Sequence, residues 1–198
     1  VMSAKNLFSA PVATTNVTVS GNIDNQDTQI QVGATGATVS VNFYDNTGHS
    51  YTAELNVIMG ATNDVFNVTV KDITDSNSQS IFSKKSVDAA TGAETYVATP
   101  ITTFTFGGLT YTVAPADINT ETGKVNLNQP TTGFPTIKFN AANGEFDSLT
   151  SATGAKIDNF ALDITATPDP FPELLVDFST VTMYGKSSSG ASTGTSLT

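Results

Sequence analysis

The chain has 198 residues with 18 acidic and 8 basic side chains, a formal net charge of −10, one histidine and no cysteine. All the basic residues are lysine, so no guanidinium fork is present to grip phosphate, and the acidic balance repels nucleic acid and anionic lipid. Missing thiols exclude disulfides, thiolate catalysis and thiolate metal sites, and no run of eighteen apolar residues is present to span a membrane.

In chain order, residues 1–22 begin loose and become strand-like at Val17 and Val19, which reads as an incoming connecting segment. Ala37, Val39, Val41 and Phe43 then share one face, with Thr38, Ser40, Asn42 and Tyr44 on the other, the alternation of a half-buried strand. Asp45, Asn46 and Gly48 supply a turn, since Asx residues and glycine tolerate left-handed geometry. Tyr51-Ala53-Leu55-Val57-Met59 and Phe66-Val68-Val70 complete a predicted three-strand meander, with a turn from Gly60 to Asp64.

Residues 76–99 are polar and broken, and "NQPTTGFP" around Pro130 and Pro135 is a second break. Between them lie Phe104-Phe106, a Gly107-Gly108 hairpin signal, Leu109-Tyr111-Val113 and a predicted Val125-Leu127 strand. About sixty residues without disulfide or metal are marginal alone, so 76–133 reads as an insertion packed on the main body, residues 23–185. Ile137-Phe139, a turn at Asn143-Gly144, Phe146, Phe160-Leu162-Ile164 and Leu174-Val176-Phe178 follow, and 186–198 read as a flexible Ser/Gly/Thr linker. No ten-residue stretch holds a capped 3.6 period. The fold class is all-β, a distorted barrel or sandwich of many short, mostly antiparallel strands.

Residues that could carry chemistry are few. His49 sits in a turn with no nucleophile elbow nearby and reads as an exposed polar residue. Asp117, Asn119 and Glu121 place oxygens at alternate positions as a calcium loop does. The sixth position is not glycine, however, and Asn128 stands where the closing acid belongs. Asp163, Asp169, Glu173 and Asp177 read as edge-strand solubility devices, not a glycosidase pair. Sequons at Asn16 and Asn67 carry little weight in a Thr-rich chain. Twelve Phe on inward periods are core, and no Trp is present for a sugar platform. Neither an enzyme, a cofactor nor a metal is expected.

Four motifs together resemble the bacterial flagellar hook protein family. "VSVNFYDNTGHSYTAELNVIMGATNDVFNVTVKD" resembles the family's strand ending in "YD-x-x-G", and "IKFNAANGEF" its "F-x-x-x-G" hairpin. "LLVDFSTVTMYG" resembles its closing strand, and "ATTNVTVSGNIDN" its incoming segment. The motifs keep the family's order, cover 12–72 and 134–185, and leave 76–133 unmatched.

The resemblance implies an outer β-domain threaded into an inner one by two neighbouring strands, Val12–Gly21 and Val181–Gly190, without the family's terminal helices. It implies a structural subunit of the hook, the flexible joint between rod and filament, located outside the cell and exported by the flagellar type III apparatus without a cleaved signal peptide. Its partners would be other copies of itself and, at full length, the rod, hook-cap and hook–filament junction proteins. This piece alone would be a monomer that touches neither nucleic acid nor membrane. Asp45, Asn46, Gly48, His49, Asn143 and Gly144 are the candidate subunit-contact residues, as loop tips on a rigid sheet. The two connecting strands are expected to bring the chain ends together at one pole. Alternatives are a distal-rod or hook-associated relative, or an extracellular carbohydrate-binding or adhesin module.

Overall fold

The computed structural model describes residues 11–184. β1 (Asn16–Asp24) is followed by a meander of β2 (Ala37–Tyr44), β3 (Ser50–Met59) and β4 (Val65–Asp75). A hairpin of β5 (Ser83–Val87) and β6 (Glu94–Ala98) precedes a second, β7 (Thr103–Phe106) and β8 (Leu109–Thr112). After a 3₁₀ turn at Pro115–Asp117 come β9 (Thr136–Phe139), β10 (Phe146–Thr150), β11 (Lys156–Ile157), β12 (Phe160–Thr165) and β13 (Leu174–Tyr184). The protein is all-β, as the period of two requires.

β5 and β6 form a two-stranded sheet of their own, and two large sheets have the orders β1-β13-β12-β7-β8 and β11-β10-β9-β4-β3-β2. Their inner faces form one apolar core, in which Phe66, Phe104, Phe106, Phe139, Phe160 and Phe178 are wholly buried. Rings meet edge-on across neighbouring strands, Phe66 with Phe139 at 5.8 Å and Phe160 with Phe178 at 5.6 Å. The two sheets are tied at their margins by Ala152 N–H donating to Gly107 O (2.9 Å) and Met183 N–H donating to Gly144 O (2.8 Å).

The meander, the Gly107-Gly108 hairpin and the Asn143-Gly144 turn fall where the sequence places them. Residues 76–133 are joined to the main body through a sheet. β7 pairs with β12 and supplies Phe104 and Phe106 to the core, so this segment completes one of the two sheets. β5 and β6 were unexpected because Lys84, Lys85 and Glu94 break any apolar alternation. Val125 and Leu127 do not form a strand; both are buried, and Val125 makes a single bridge to Ile118.

β1 and β13 are neighbours, but they run parallel, from Asn16 opposite Leu175 to Asp24 opposite Tyr184. The chain therefore comes in at one end of this ladder and goes out at the other, about 25 Å away at 3.3 Å per residue. This corrects the expectation of chain ends gathered at one pole. The linker at 186–198 lies outside the described residues.

Candidate functional site

The alternating strand directions give the molecule two poles. At the incoming pole, Thr14 N–H donates to Tyr44 O (3.0 Å) and Asn46 N–H to Pro170 O (2.9 Å), which gathers the β2–β3 turn beside the start of β13. At the outgoing pole, Phe139 N–H donates to Asp64 O (2.8 Å) and Met183 is held by Gly144, which gathers the β9–β10 turn beside the end of β13. The two candidate contact turns thus sit about 30 Å apart, at opposite ends of one sheet. They do not form a single patch.

The first turn is built around Asp45. Its Oδ1 accepts from Thr47 N–H (2.8 Å), the Thr47 hydroxyl (2.7 Å) and His49 N–H (2.9 Å), and its Oδ2 accepts from the Tyr51 hydroxyl (3.2 Å). Burial alone would raise the Asp45 carboxyl, but the hydrogen bonds from Thr47, His49 and Tyr51 outweigh it and hold it below the ordinary range. Tyr51 is in turn pushed up to about 12 by burial and by the Asp45 charge. Its ring is stacked on Phe43 at 5.6 Å and meets Phe171 edge-on at 5.0 Å. The "YDNTG" motif is a local brace that fixes the turn.

Two of the six candidate residues are therefore structural. Asp45 is 1% exposed, and its carboxylate points inward. Gly144 is buried with φ of +71°, and a Cβ there would meet Met183 O at 1.7 Å. Only glycine fits so close to β13. Asn46, Gly48, His49 and Asn143 are exposed at the tips; Asn143 Nδ2 donates to Glu145 Oε2 (2.6 Å).

The other oxygen-rich stretches serve their own backbones. Asp117 accepts from Ala114 N–H (2.8 Å) and from Asn128 Nδ2 (3.2 Å), while Asn119 Oδ1 accepts from the Glu121 and Thr122 amides. Asp169 accepts from Phe171 N–H (2.8 Å), and Asp177 from Ser179 N–H (2.7 Å). Among the described residues, no three His, Asp or Glu side chains gather where one ion could be held. No helix among them is long and apolar enough to cross a membrane.

No protein-family model and no curated protein matches this sequence.

One ionisable pair escaped the sequence reading. Glu54 and Asp72 face each other across β3 and β4, at the rim of a cleft of about 590 Å³ that Lys71, Lys124, Asn126 and Gln129 also line. Burial, with a contribution from the Glu54 charge, pushes the Asp72 carboxyl up to about 6, against the Ser80 hydroxyl (2.7 Å) and Ile73 N–H (2.8 Å) that donate to it. Eighteen residues separate the two acids, so only knowledge of the β3–β4 register brings them together. Tyr51 was more accessible to foresight: a tyrosine on the inward period needs an acceptor for its hydroxyl.

Proposed function

We propose that this chain is the outer β-module of a bacterial flagellar hook subunit, a structural part without catalytic activity of its own. The observation that carries the reading is the lateral pairing of β1 with β13. The incoming and outgoing motifs of the resemblance are neighbours in one sheet, although they run parallel where a simple out-and-back pair would run antiparallel.

The placement of the two exposed turns fits the same role. A row of subunits that lengthens and shortens needs unlike surfaces at its two ends, so that each copy meets the next head to tail. Asn46, Gly48 and His49 at one pole and Asn143 at the other are small and polar. Small, polar, wet contacts of this kind can slide and reform.

Antibodies raised against the 198-residue chain should decorate the hooks of purified hook–basal bodies from the source bacterium under immunogold electron microscopy. Label confined to the rod or to the hook–filament junction would reassign the chain to a distal-rod or hook-associated relative. An unlabelled organelle, with saturable binding on a glycan array, would transfer it to the adhesin class.

A further inference from the structure

β2 is a sheet edge, and its open side is complementary to itself. Asp45 N–H donates to His49 O (3.0 Å), which makes Asp45 and the alternate residues Phe43, Val41 and Val39 the ones that bond to β3. Thr38, Ser40, Asn42 and Tyr44 therefore turn their backbone groups to the free side. Tyr44 uses both of its groups there, donating N–H to the Thr14 hydroxyl (3.1 Å) and accepting from Thr14 N–H (3.0 Å). Among the described residues, no group pairs with the outward N–H and C=O of Thr38, Ser40 and Asn42.

The other sheet edges are protected: β5 carries Lys84 and Lys85, and on β6 the Tyr96 N–H donates to Thr120 O (2.9 Å). β11 has two residues, β8 has four and runs into Pro115, and β1 carries a register shift between Thr18 and Ser20. Shortness, proline and bulges are the usual devices against edge-to-edge pairing. β2 has none of them: eight residues, regular pairing throughout and no charge in its sequence ATVSVNFY.

We infer that β2 pairs antiparallel with β2 of a second copy about a two-fold axis through Ser40, joining two six-stranded sheets into one. Ser40 then faces its own counterpart and Thr38 faces Asn42, giving about six backbone hydrogen bonds. Tyr44 stays paired with Thr14 of its own copy, so the shared ladder ends at Asn42 opposite Thr38. Glu54 lies one strand inward of Ser40, so the two copies of Glu54 stand about 14 Å apart across three strand spacings. That separation exceeds the screening length of about 10 Å at 0.1 M salt, so their repulsion fades as salt rises. This edge pairing does not depend on the flagellar reading.

Sedimentation velocity on the 198-residue chain tests it. The chain should be a monomer near ~10 µM and approach a dimer toward ~1 mM, the range of a few-kcal/mol contact. Association should be stronger at about 0.3 M than at about 0.02 M salt. Ser40→Lys sets two ammonium groups against each other and should weaken association at least ~10-fold, with Asn42→Lys read in its place if that variant fails to fold. Thr110→Lys, on the edge strand β8, should leave association unchanged. Absence of association at ~1 mM, or association that survives the β2 lysine, overturns the inference.

Discussion

The Tyr111 hydroxyl accepts a hydrogen bond from Val70 N–H at 3.2 Å, joining one sheet to the other through the middle of the core. Val70 lies beyond the β9 pairing, which ends at Asn67 opposite Thr136, and beside a bulge in which Glu54 faces Asp72 while Leu55 faces Val70, leaving Lys71 as the extra residue. Like Val68, whose N–H donates to Pro135 O, Val70 turns its polar groups away from β3, and Gln129 Nε2 donates to its carbonyl at 2.9 Å. Burial raises the Tyr111 phenol to about 12.

Tyr111→Phe keeps the ring that stacks on Phe104 at 4.6 Å and removes only the acceptor. The expected loss is about 1–3 kcal/mol, the cost of a buried amide left without a partner. Urea unfolding reads it directly, and a change within error would mean that water replaces the hydroxyl.

Asp45→Asn should cost about 1–2 kcal/mol at neutral pH by weakening the charge-assisted bonds of the turn. Because the folded carboxyl lies below its ordinary value of 3.8, its contribution is fully present above that value and is lost as pH falls through the folded one. Melting curves of the two proteins should therefore converge below about pH 4. Curves that stay parallel across that range would show that Asp45 acts by shape alone.

Asp72 works in the opposite direction. Its folded carboxyl is raised from 3.8 to about 6, so the stability it contributes is full below 3.8 and is lost as pH rises through 6. Asp72→Asn, which still accepts from the Ser80 hydroxyl, should match the parent near about pH 4 and exceed it by ~1–3 kcal/mol near about pH 7.5. A variant less stable than the parent at pH 7.5 would show that Lys71 and Lys124 at the cleft rim compensate the charge.

Phe178→Ala removes a fully buried ring that meets Phe160 edge-on. A loss of about 3–5 kcal/mol is expected, read as a fall in the denaturant midpoint at unchanged slope. A loss under ~1 kcal/mol would place Phe178 in a part of the core able to collapse around the gap.

What was legible in the sequence was the inward face of each strand. Val39, Val41 and Phe43, or Phe160, Leu162 and Ile164, declare themselves by a period of two, and the glycine turns bound them. Direction was not legible, because Val17 and Val19 read the same whether β1 runs with β13 or against it. The β5–β6 hairpin was hidden because polar strands are held there by turn chemistry: Asp88 Oδ1 accepts from the Ala90 and Thr91 amides, and Lys85 pairs with Glu94. At the candidate site, the motif "YDNTG" marked the turn correctly, yet Asp45 lies inside the brace it forms. A pattern of residue types does not say which way a carboxylate points.

The parallel ladder of β1 and β13 also has a mechanical meaning. Tension applied to the chain ahead of Asn16 and beyond Tyr184 pulls the two strands past each other along their length. The hydrogen bonds between them are then loaded together in shear, not peeled open one at a time. Such a module stays folded under a load that would unzip an antiparallel terminal hairpin of equal length, since forced unfolding is set by the barrier to the first rupture. Single-molecule pulling from the two termini should show one high-force event, and Val17→Pro, which removes an amide turned toward β13, should lower it. Gradual low-force lengthening would mean that the termini carry their load elsewhere.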